Sequence, residues 1–272
     1  MTFEESVIEI LKEAGQIMTG SHDVEKVTEV KPGDVNFVTA YDVAVQKFLT
    51  ERLSALLPEA KYLAEEDEVH ILTDAPTFII DPIDGTTNFI HGVGHSCISV
   101  ALCESGETTR AFVYDPYREE LFTAVKGQGA YSHRNGKSEK LSVSNHDLSQ
   151  SLVMVGTDPY RKNETWTLTM DIFAKLLLAG RDLRRSGSAA LDLAYIAAGR
   201  YDLFFELMLS PWDYAAGMLL ITEAGGSITT FDKKSLPMGK KCSVVAGTPA
   251  AHADFFREID VASAPRHLWE AH

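Results

Sequence analysis

Asp81 and Asp84 stand three residues apart in Asp81-Pro82-Ile83-Asp84-Gly85-Thr86-Thr87-Asn88, directly after the apolar run Thr77-Phe78-Ile79-Ile80. An apolar run that ends in two carboxylates, then a glycine and hydroxyls, suits ligand chemistry better than core packing. Proline fixes its own φ and lacks an N–H, so a strand over 77–80 should stop at Asp81-Pro82. Gly85 lets the backbone approach a ligand closely. From Thr86 the chain can open a helix, whose free N–H groups and positive dipole end make a phosphate seat. Two carboxylates above such a seat would repel the anion unless cations lay between them. Hard, oxygen-liganded cations are the economical solution, and magnesium also favours phosphate oxygens. The plainer reading is that Asp81 and Asp84 cap a turn.

Two more acidic sites bear on that choice. Glu65-Glu66-Asp67-Glu68 lies just upstream, and Asp213 sits in Ser210-Pro211-Trp212-Asp213 ahead of an apolar helix. Taken singly, the first reads as a solvated face and the second as an N-cap. If the two halves of the chain face each other, Glu65, Asp81, Asp84 and Asp213 converge. Four neighbouring carboxylates cannot all stay ionised without compensating charge, so convergence would itself demand metal. Paired metals roughly 3.5–4 Å apart can generate hydroxide, clamp the phosphoryl oxygens and stabilise the leaving alkoxide. His91 and His95 follow the motif but read as surface or hydrogen-bonding residues, because carboxylates already supply hard ligands. Arg184 and Arg185 suit either an anionic substrate or a strand end, and Trp212 a packing anchor for Asp213.

The elements that must position these groups follow from periodicity. Val7, Ile10, Leu11, Ala14 and Met18 make a helical stripe over 3–18 that ends at Gly20. A second helix runs from about Thr39 to Leu57, with Thr39 and Asp42 as a capping box and Pro58 closing it. Between them lies the polar connector Lys31-Pro32-Gly33-Asp34. Cys97–Cys103, Thr109–Tyr114 and Glu120–Val125 form an antiparallel meander, and Asn135-Gly136 signals a hairpin turn. After about residue 148 strands and helices alternate: strands over 151–156, 181–185 and 201–206, helices over 164–178, 189–198 and 214–224. Strands near Ser227 and Val244 and a helix near Ala250 complete the chain. The expected fold class is therefore α/β, with an α+β half over 1–147 and an α/β half over 148–272.

The 272 residues are 45% hydrophobic and 24% charged, ordinary for a globular protein with its own core. A net charge of -14 argues against nucleic-acid and anionic-membrane surfaces. It does not forbid an anionic substrate, since bound divalent cations reverse the local field. Cys97, Cys103 and Cys242 are too few and too odd in number for a disulfide framework, and none forms a C-x-x-C pair. The start MTFEESVIEI is unlike a secretory leader, and no uncharged apolar run reaches the roughly 18 residues of a membrane span. A soluble, cytoplasmic protein is expected.

Asp81-Pro82-Ile83-Asp84-Gly85-Thr86-Thr87-Asn88-Phe89, preceded by Glu65-Glu66 and followed by Trp212-Asp213-Tyr214-Ala215-Ala216-Gly217, closely resembles the inositol monophosphatase family. Lys31 with Val38-Thr39-Ala40-Tyr41-Asp42 looks like the family's N-terminal segment. Gly187-Ser188-Ala189-Ala190 resembles its Gly-Thr-Ala-Ala element, and Thr222-Glu223-Ala224-Gly225-Gly226 its post-helix turn. The resemblance covers nearly the whole chain and implies a layered α/β/α/β/α sandwich, often a homodimer, with lithium-sensitive activity. It implies that Glu65, Asp81 and the Ile83 carbonyl bind one Mg2+. Asp81, Asp84 and Asp213 would bind a second, and Glu65 with waters a weaker third. Thr86, backed by Asp42, would orient and help deprotonate the attacking water, with Glu65 also catalytic. Gly85 and Thr86 N–H groups would hold phosphate oxygens. Glu206, Gly187, Ser188 and Ala189 would meet substrate hydroxyls, with Asp84 and Asp213 bordering the substrate. Departures are Asn36 for the usual Asp, Ala64 for Gly, Ser188 for Thr, and a short stretch from Glu66 to Asp81.

The implied reaction is magnesium-dependent hydrolysis of a small phosphate monoester, first among them inositol monophosphate. Fructose-1,6-bisphosphatase, histidinol-phosphate phosphatase and NADP phosphatase activities would keep the metals and change the leaving group. A 3'-phosphoadenosine nucleotidase typically shows Lys-Glu where this chain has Thr87-Asn88. From another class, a regulatory protein-binding role is the alternative, as some members of such families bind transcription machinery.

Overall fold

The structure, a computed structural model, describes residues 2–30, 37–67, 72 and 74–270. Lys31 with the rest of its connector, Asn36 and Glu68 lie outside the described residues. Helix α1 (Phe3–Thr19) starts with a capping box between Thr2 and Glu5 and buries Val7, Ile10, Leu11, Ala14 and Met18 along one face. Short strands β1 (Thr28–Val30) and β2 (Phe37–Thr39) pair antiparallel and lead into α2 (Ala40–Leu56). The capping box read from Thr39 and Asp42 is present. The Asp42 carboxylate accepts the Thr39 N–H at 2.8 Å, while Thr39 Oγ1 accepts the N–H groups of Tyr41 and Asp42.

Strands β3 (Lys61–Ala64) and β4 (Thr77–Asp84) follow, then α3 (Thr86–Ile90) and the strands β5 (Cys97–Glu104), β6 (Glu107–Asp115), β7 (Glu120–Val125), β8 (Gly129–Arg134) and β9 (Lys137–Lys140). They build a seven-stranded sheet in sequence order, parallel at β3–β4 and an antiparallel meander from β4 onward, as the alternation predicts. Asn135 and Gly136 join β8 to β9 with φ of 52° and 73°, the left-handed pair that a two-residue hairpin turn requires. Period-two alternation sorts the faces. Phe78, Ile80, Ile98, Val100 and Phe112 pack against α1 and α2, whereas Ile79, Ala101, Val113 and Phe122 face the other way.

Next come β10 (Leu152–Val155), α4 (Lys162–Ala179), β11 (Asp182–Arg184), α5 (Ala189–Ala197), β12 (Leu203–Leu209), α6 (Pro211–Glu223), β13 (Ser227–Thr229), β14 (Cys242–Gly247) and α7 (Pro249–Glu258). The second sheet has the order β11-β10-β12-β14-β13. Its Met154, Phe204, Val244 and Ala246 share one core with α5, α6 and the far face of the first sheet. Its opposite face, with Val153, Val155, Phe205 and Val245, is covered by α4 and α7 through Ile172, Leu176, Ala251 and Phe255. The layers are helix, sheet, helix, sheet, helix: an α/β/α/β/α sandwich. The middle helices α5 and α6 are apolar nearly all round because both faces are covered.

Two boundaries differ from expectation at places that matter. The strand expected to stop after Ile80 continues through Pro82 to Asp84. The helix expected from Tyr214 starts at Pro211, with Ser210 as its cap. Proline at the first helical position lacks only an N–H that would have had no partner.

Candidate functional site

Asp81 pairs across the sheet with Ser99, but Asp84 pairs with Cys97, so β4 carries one residue more than β5 between these points. In a regular strand, residues three apart point to opposite faces. The bulge reverses that parity: Ile83 joins the core beside Phe78 and Ile80, and both carboxylates turn into a cleft facing α5 and α6. Pro82 is tolerated because a bulge leaves a residue out of the ladder. Asp81 Oδ1 accepts the Ile83 N–H at 3.0 Å. Asp84 Oδ2 accepts the Ser188 hydroxyl and the Ala190 N–H at 2.9 Å, with the Cys97 thiol at 3.8 Å.

Asp213 arrives from the first turn of α6. It is not the N-cap; it is the acidic partner of a capping box, accepting the Ser210 N–H at 2.7 Å through Oδ2. Asp81, Asp84 and Asp213 present carboxylate oxygens all within 4.8 Å of one another. Glu65, placed by its N–H bond to the Ile80 carbonyl at the end of β3, lines the same cleft.

Burial pushes Asp81 and Asp213 well above the usual carboxylate range, and their acidic neighbours push further. Asp84 is raised too by burial, held back by the Ser188 and Ala190 hydrogen bonds. Such a cluster repels itself in the low dielectric of a cleft. The donors are carboxylates with the Ile83 carbonyl alongside, and among the described residues no imidazole belongs to the cluster. Burial raises the Cys97 thiol far above its usual value, so it stays protonated and offers no soft thiolate. This donor set fits a hard divalent cation. His95 is turned away, edge-on to Tyr195 at 6.2 Å.

Beside the acids, Gly85 has φ of 89° and caps α3 without a side chain. The first-turn N–H groups of a helix have no intrahelical acceptors, and here no side chain caps them where Gly85, Thr86 and Thr87 line the cleft. Thr86 Oγ1 lies 3.2 Å from the Ile83 carbonyl and 3.4 Å from Asp42 Oδ1. Asp42 is fully buried; its other oxygen accepts from Thr39 N and Oγ1. Burial pushes it up to about 6.

The opposite wall comes from the second sheet and α5. Glu206, on β12, accepts the Asp158 N–H at 2.8 Å, and burial pushes it up to about 7. It fits only because residue 156 is a glycine: a Cβ there would fall on the Glu206 carboxylate. If Glu206 meets substrate hydroxyls, as the sequence resemblance implies, Gly156→Ala, which displaces it, should raise KM about 10-fold with kcat less affected in steady-state assays. An unchanged KM would remove Glu206 from the substrate wall. Gly187, Ser188 and Ala189 line the same side, with the Ser188 hydroxyl committed to Asp84. Arg185 reaches the rim, bonded to Thr157 Oγ1 at 3.1 Å, whereas Arg184 pairs with Asp182 along β11.

Two polar lining residues escape the sequence reading. Asp192 is buried and accepts the Ser186 hydroxyl at 2.7 Å. A lone acid inside the apolar helix Ala-Ala-Leu-Asp-Leu-Ala-Tyr-Ile-Ala was the available signal. Tyr160 lies between β10 and α4, and nothing in its sequence neighbourhood marks it.

The sequence profile of the inositol monophosphatase family matches residues 2–262. "Nus factor SuhB" of Salmonella typhimurium is 40% identical over 240 residues, 88% of either chain. "Inositol monophosphatase 1" of Solanum lycopersicum is 37% identical over 260 residues, 93% of this chain and 91% of the relative. Among solved structures, the Thermotoga maritima IMPase superposes with a TM-score of 0.85 at 30% identity, covering 96% of this chain and 98% of the other.

Proposed function

The chain belongs to the inositol monophosphatase family, and from that premise we propose that this phosphoric monoester hydrolase acts on inositol monophosphate, releasing inositol and phosphate with Mg2+ in its acidic cleft. The observation that carries the reading is the convergence of Asp81, Asp84 and Asp213 within 4.8 Å on the wall of one cleft. Glu65, Asp81 and the Ile83 carbonyl would hold one ion, Asp81, Asp84 and Asp213 a second, and Glu65 a weaker third. Magnesium bound there supplies positive charge that acidifies water and offsets charge developing on phosphoryl and leaving oxygens.

The chain's own residues do the rest. Uncapped N–H groups at Gly85 and Thr86 hold phosphate oxygens against the acidic cluster. The Thr86 hydroxyl, set between the Ile83 carbonyl and Asp42, orients a water and passes its proton towards Asp42, with Glu65 positioning the same water. Glu206 accepts hydrogen bonds from substrate hydroxyls, and Gly187, Ser188 and Ala189 shape the wall against the leaving alcohol. In this reading residues 1–147 carry most of the ion ligands, and residues 148–272 carry Asp213 and the leaving-group wall. The family likeness extends the proposal to a cytoplasmic homodimer inhibited by lithium. No helix among the described residues is long and apolar enough to cross a membrane.

Excess chelator should abolish phosphate release from inositol monophosphate, and added magnesium should restore it. Turnover that persists in chelator overturns the proposal. Running fructose 1,6-bisphosphate, histidinol phosphate and NADP in the same assay decides the leaving group. The name of the SuhB relative favours a second reading, a regulatory protein-binding role. Asp84→Asn separates the two, because partner binding would survive it.

A further inference from the structure

Two segments that line the cleft touch, the β4–α3 junction and the loop before α5. One carries Gly85 and Thr86; the other, residues 185–188, runs into α5 and carries Gly187 and Ser188. The contact is backbone on backbone: a Cβ on Gly85 would lie 3.1 Å from the Gly187 carbonyl oxygen. Asn88, on α3, ties the segments together. Its side-chain amide donates one N–H to the His95 carbonyl at 2.7 Å and the other to the Ser186 carbonyl at 2.9 Å. Both acceptors are carbonyls, so only the NH₂ end can face them, and the orientation of the amide follows from chemistry. The Ser186 bond joins residues 98 apart in sequence and connects the phosphate side of the cleft to the leaving-group side.

Ser186 is itself fixed. Its hydroxyl donates to Asp192 Oδ2 at 2.7 Å and accepts the Ser188 N–H at 3.3 Å. Gly187, at φ of 94°, has no room for a side chain, since a Cβ there would meet the Arg185 guanidinium and lie 3.0 Å from Asn88 Nδ2. Asn88 does not line the cleft. It spends one donor on the 185–188 loop and the other on the His95 carbonyl, which itself lies against Gly85, 3.2 Å from where a Cβ would be.

We propose that Asn88 is a positioning residue that sets the distance between the phosphate seat at Gly85–Thr86 and the leaving-group wall at Gly187–Ala189. The proposal rests on the phosphatase reading above and deepens it. Reacting groups must be held about 3–3.5 Å apart, and a misplacement of about 1 Å can cost about 10²-fold in rate. Only a substrate whose alcohol leans on the 185–188 loop feels that register. An aryl phosphate, with a good leaving group and no hydroxyls, is held through its phosphate alone.

The test compares Asn88→Ala with wild type on inositol monophosphate and on p-nitrophenyl phosphate, magnesium present. The expected result is a fall in kcat/KM of about 10²-fold on the polyol phosphate and less than about 3-fold on the aryl phosphate. Equal losses on both substrates, or no loss on either, overturn the proposal; the first would mark a structural role. Retained aryl phosphatase activity reports that the variant is folded. Should Asn88→Ala fail to fold, Asn88→Ser, a smaller change that keeps a polar side chain at the site while giving up both amide bonds, carries the same comparison. Wild-type protein that turns over neither substrate overturns the phosphatase reading, and this one with it, before any variant is read.

Discussion

Replacing Asp84 by asparagine is expected to lower turnover about 10³-fold or more while the fold survives. Three hydrogen bonds of this side chain fall on one oxygen. Oδ2 accepts the Ser188 hydroxyl, the Ala190 N–H and the Cys97 thiol. An asparagine keeps those bonds by placing its carbonyl oxygen where Oδ2 was. Its NH₂ then occupies the position of Oδ1, where it presents hydrogens instead of a lone pair to a cation. The variant thus loses a ligand without losing its contacts to α5. Removing one of three mutually repelling carboxylates also relieves charge, so the metal-free variant should melt no lower than metal-free wild type. Magnesium at 100 times its Kd should stabilise wild type by about 2.7 kcal/mol and the variant much less. Thermal melts with and without magnesium, beside phosphate release, read both effects. Near-normal turnover, or an undiminished magnesium shift in the variant, would remove Asp84 from the ion site.

What could be read from the sequence follows the range over which each physical cause acts. The stripe of α1 and the Thr39–Asp42 box depend on residues three or four apart, so both were legible. The meander from β5 to β7 was legible through alternation and turn residues. The bulge in β4 was not, because register belongs to a pair of strands and nothing in Asp-Pro-Ile-Asp states which residue of β5 it faces. Proline was rightly read as incompatible with a regular ladder; the chain answers by bulging rather than stopping. That answer is what brings Asp81 and Asp84 to one side. The start of the helix carrying Asp213 was read three residues late, at Tyr214 instead of Pro211. Ser210-Pro211 is an N-cap followed by a first helical proline, which makes Asp213 the third residue of the helix. Glu206 was placed by resemblance alone; its partner Asp158 lies 48 residues away. Asp192 and Tyr160 reach the cleft only through packing between the two sheets, which no local pattern encodes.

Thr86→Val should leave magnesium stabilisation and KM close to wild type and lower kcat by about 10²- to 10⁴-fold. Valine matches threonine in shape but removes the hydroxyl that lies 3.2 Å from the Ile83 carbonyl and 3.4 Å from Asp42. No cluster carboxylate is touched, so the Asp81, Asp84 and Asp213 set stays whole. What disappears is the only hydroxyl joining Asp42 to the cleft among its described hydrogen bonds, since Thr39 bonds the other oxygen from within the α2 cap. The pH profile tests the same link. Asp42 accepts a proton only as a carboxylate, and burial pushes it up to about 6 in the metal-free chain. Below that value it is protonated and cannot act, so kcat should fall as pH drops through about 6. Bound cations favour the carboxylate and can only move this limb to lower pH. In Asp42→Asn the group no longer titrates, and its share of the acidic limb should vanish along with most of the rate. If Thr86→Val retains kcat within about 3-fold of wild type, the water is oriented by something else and the Thr86–Asp42 pair is only a helix cap joined to a turn.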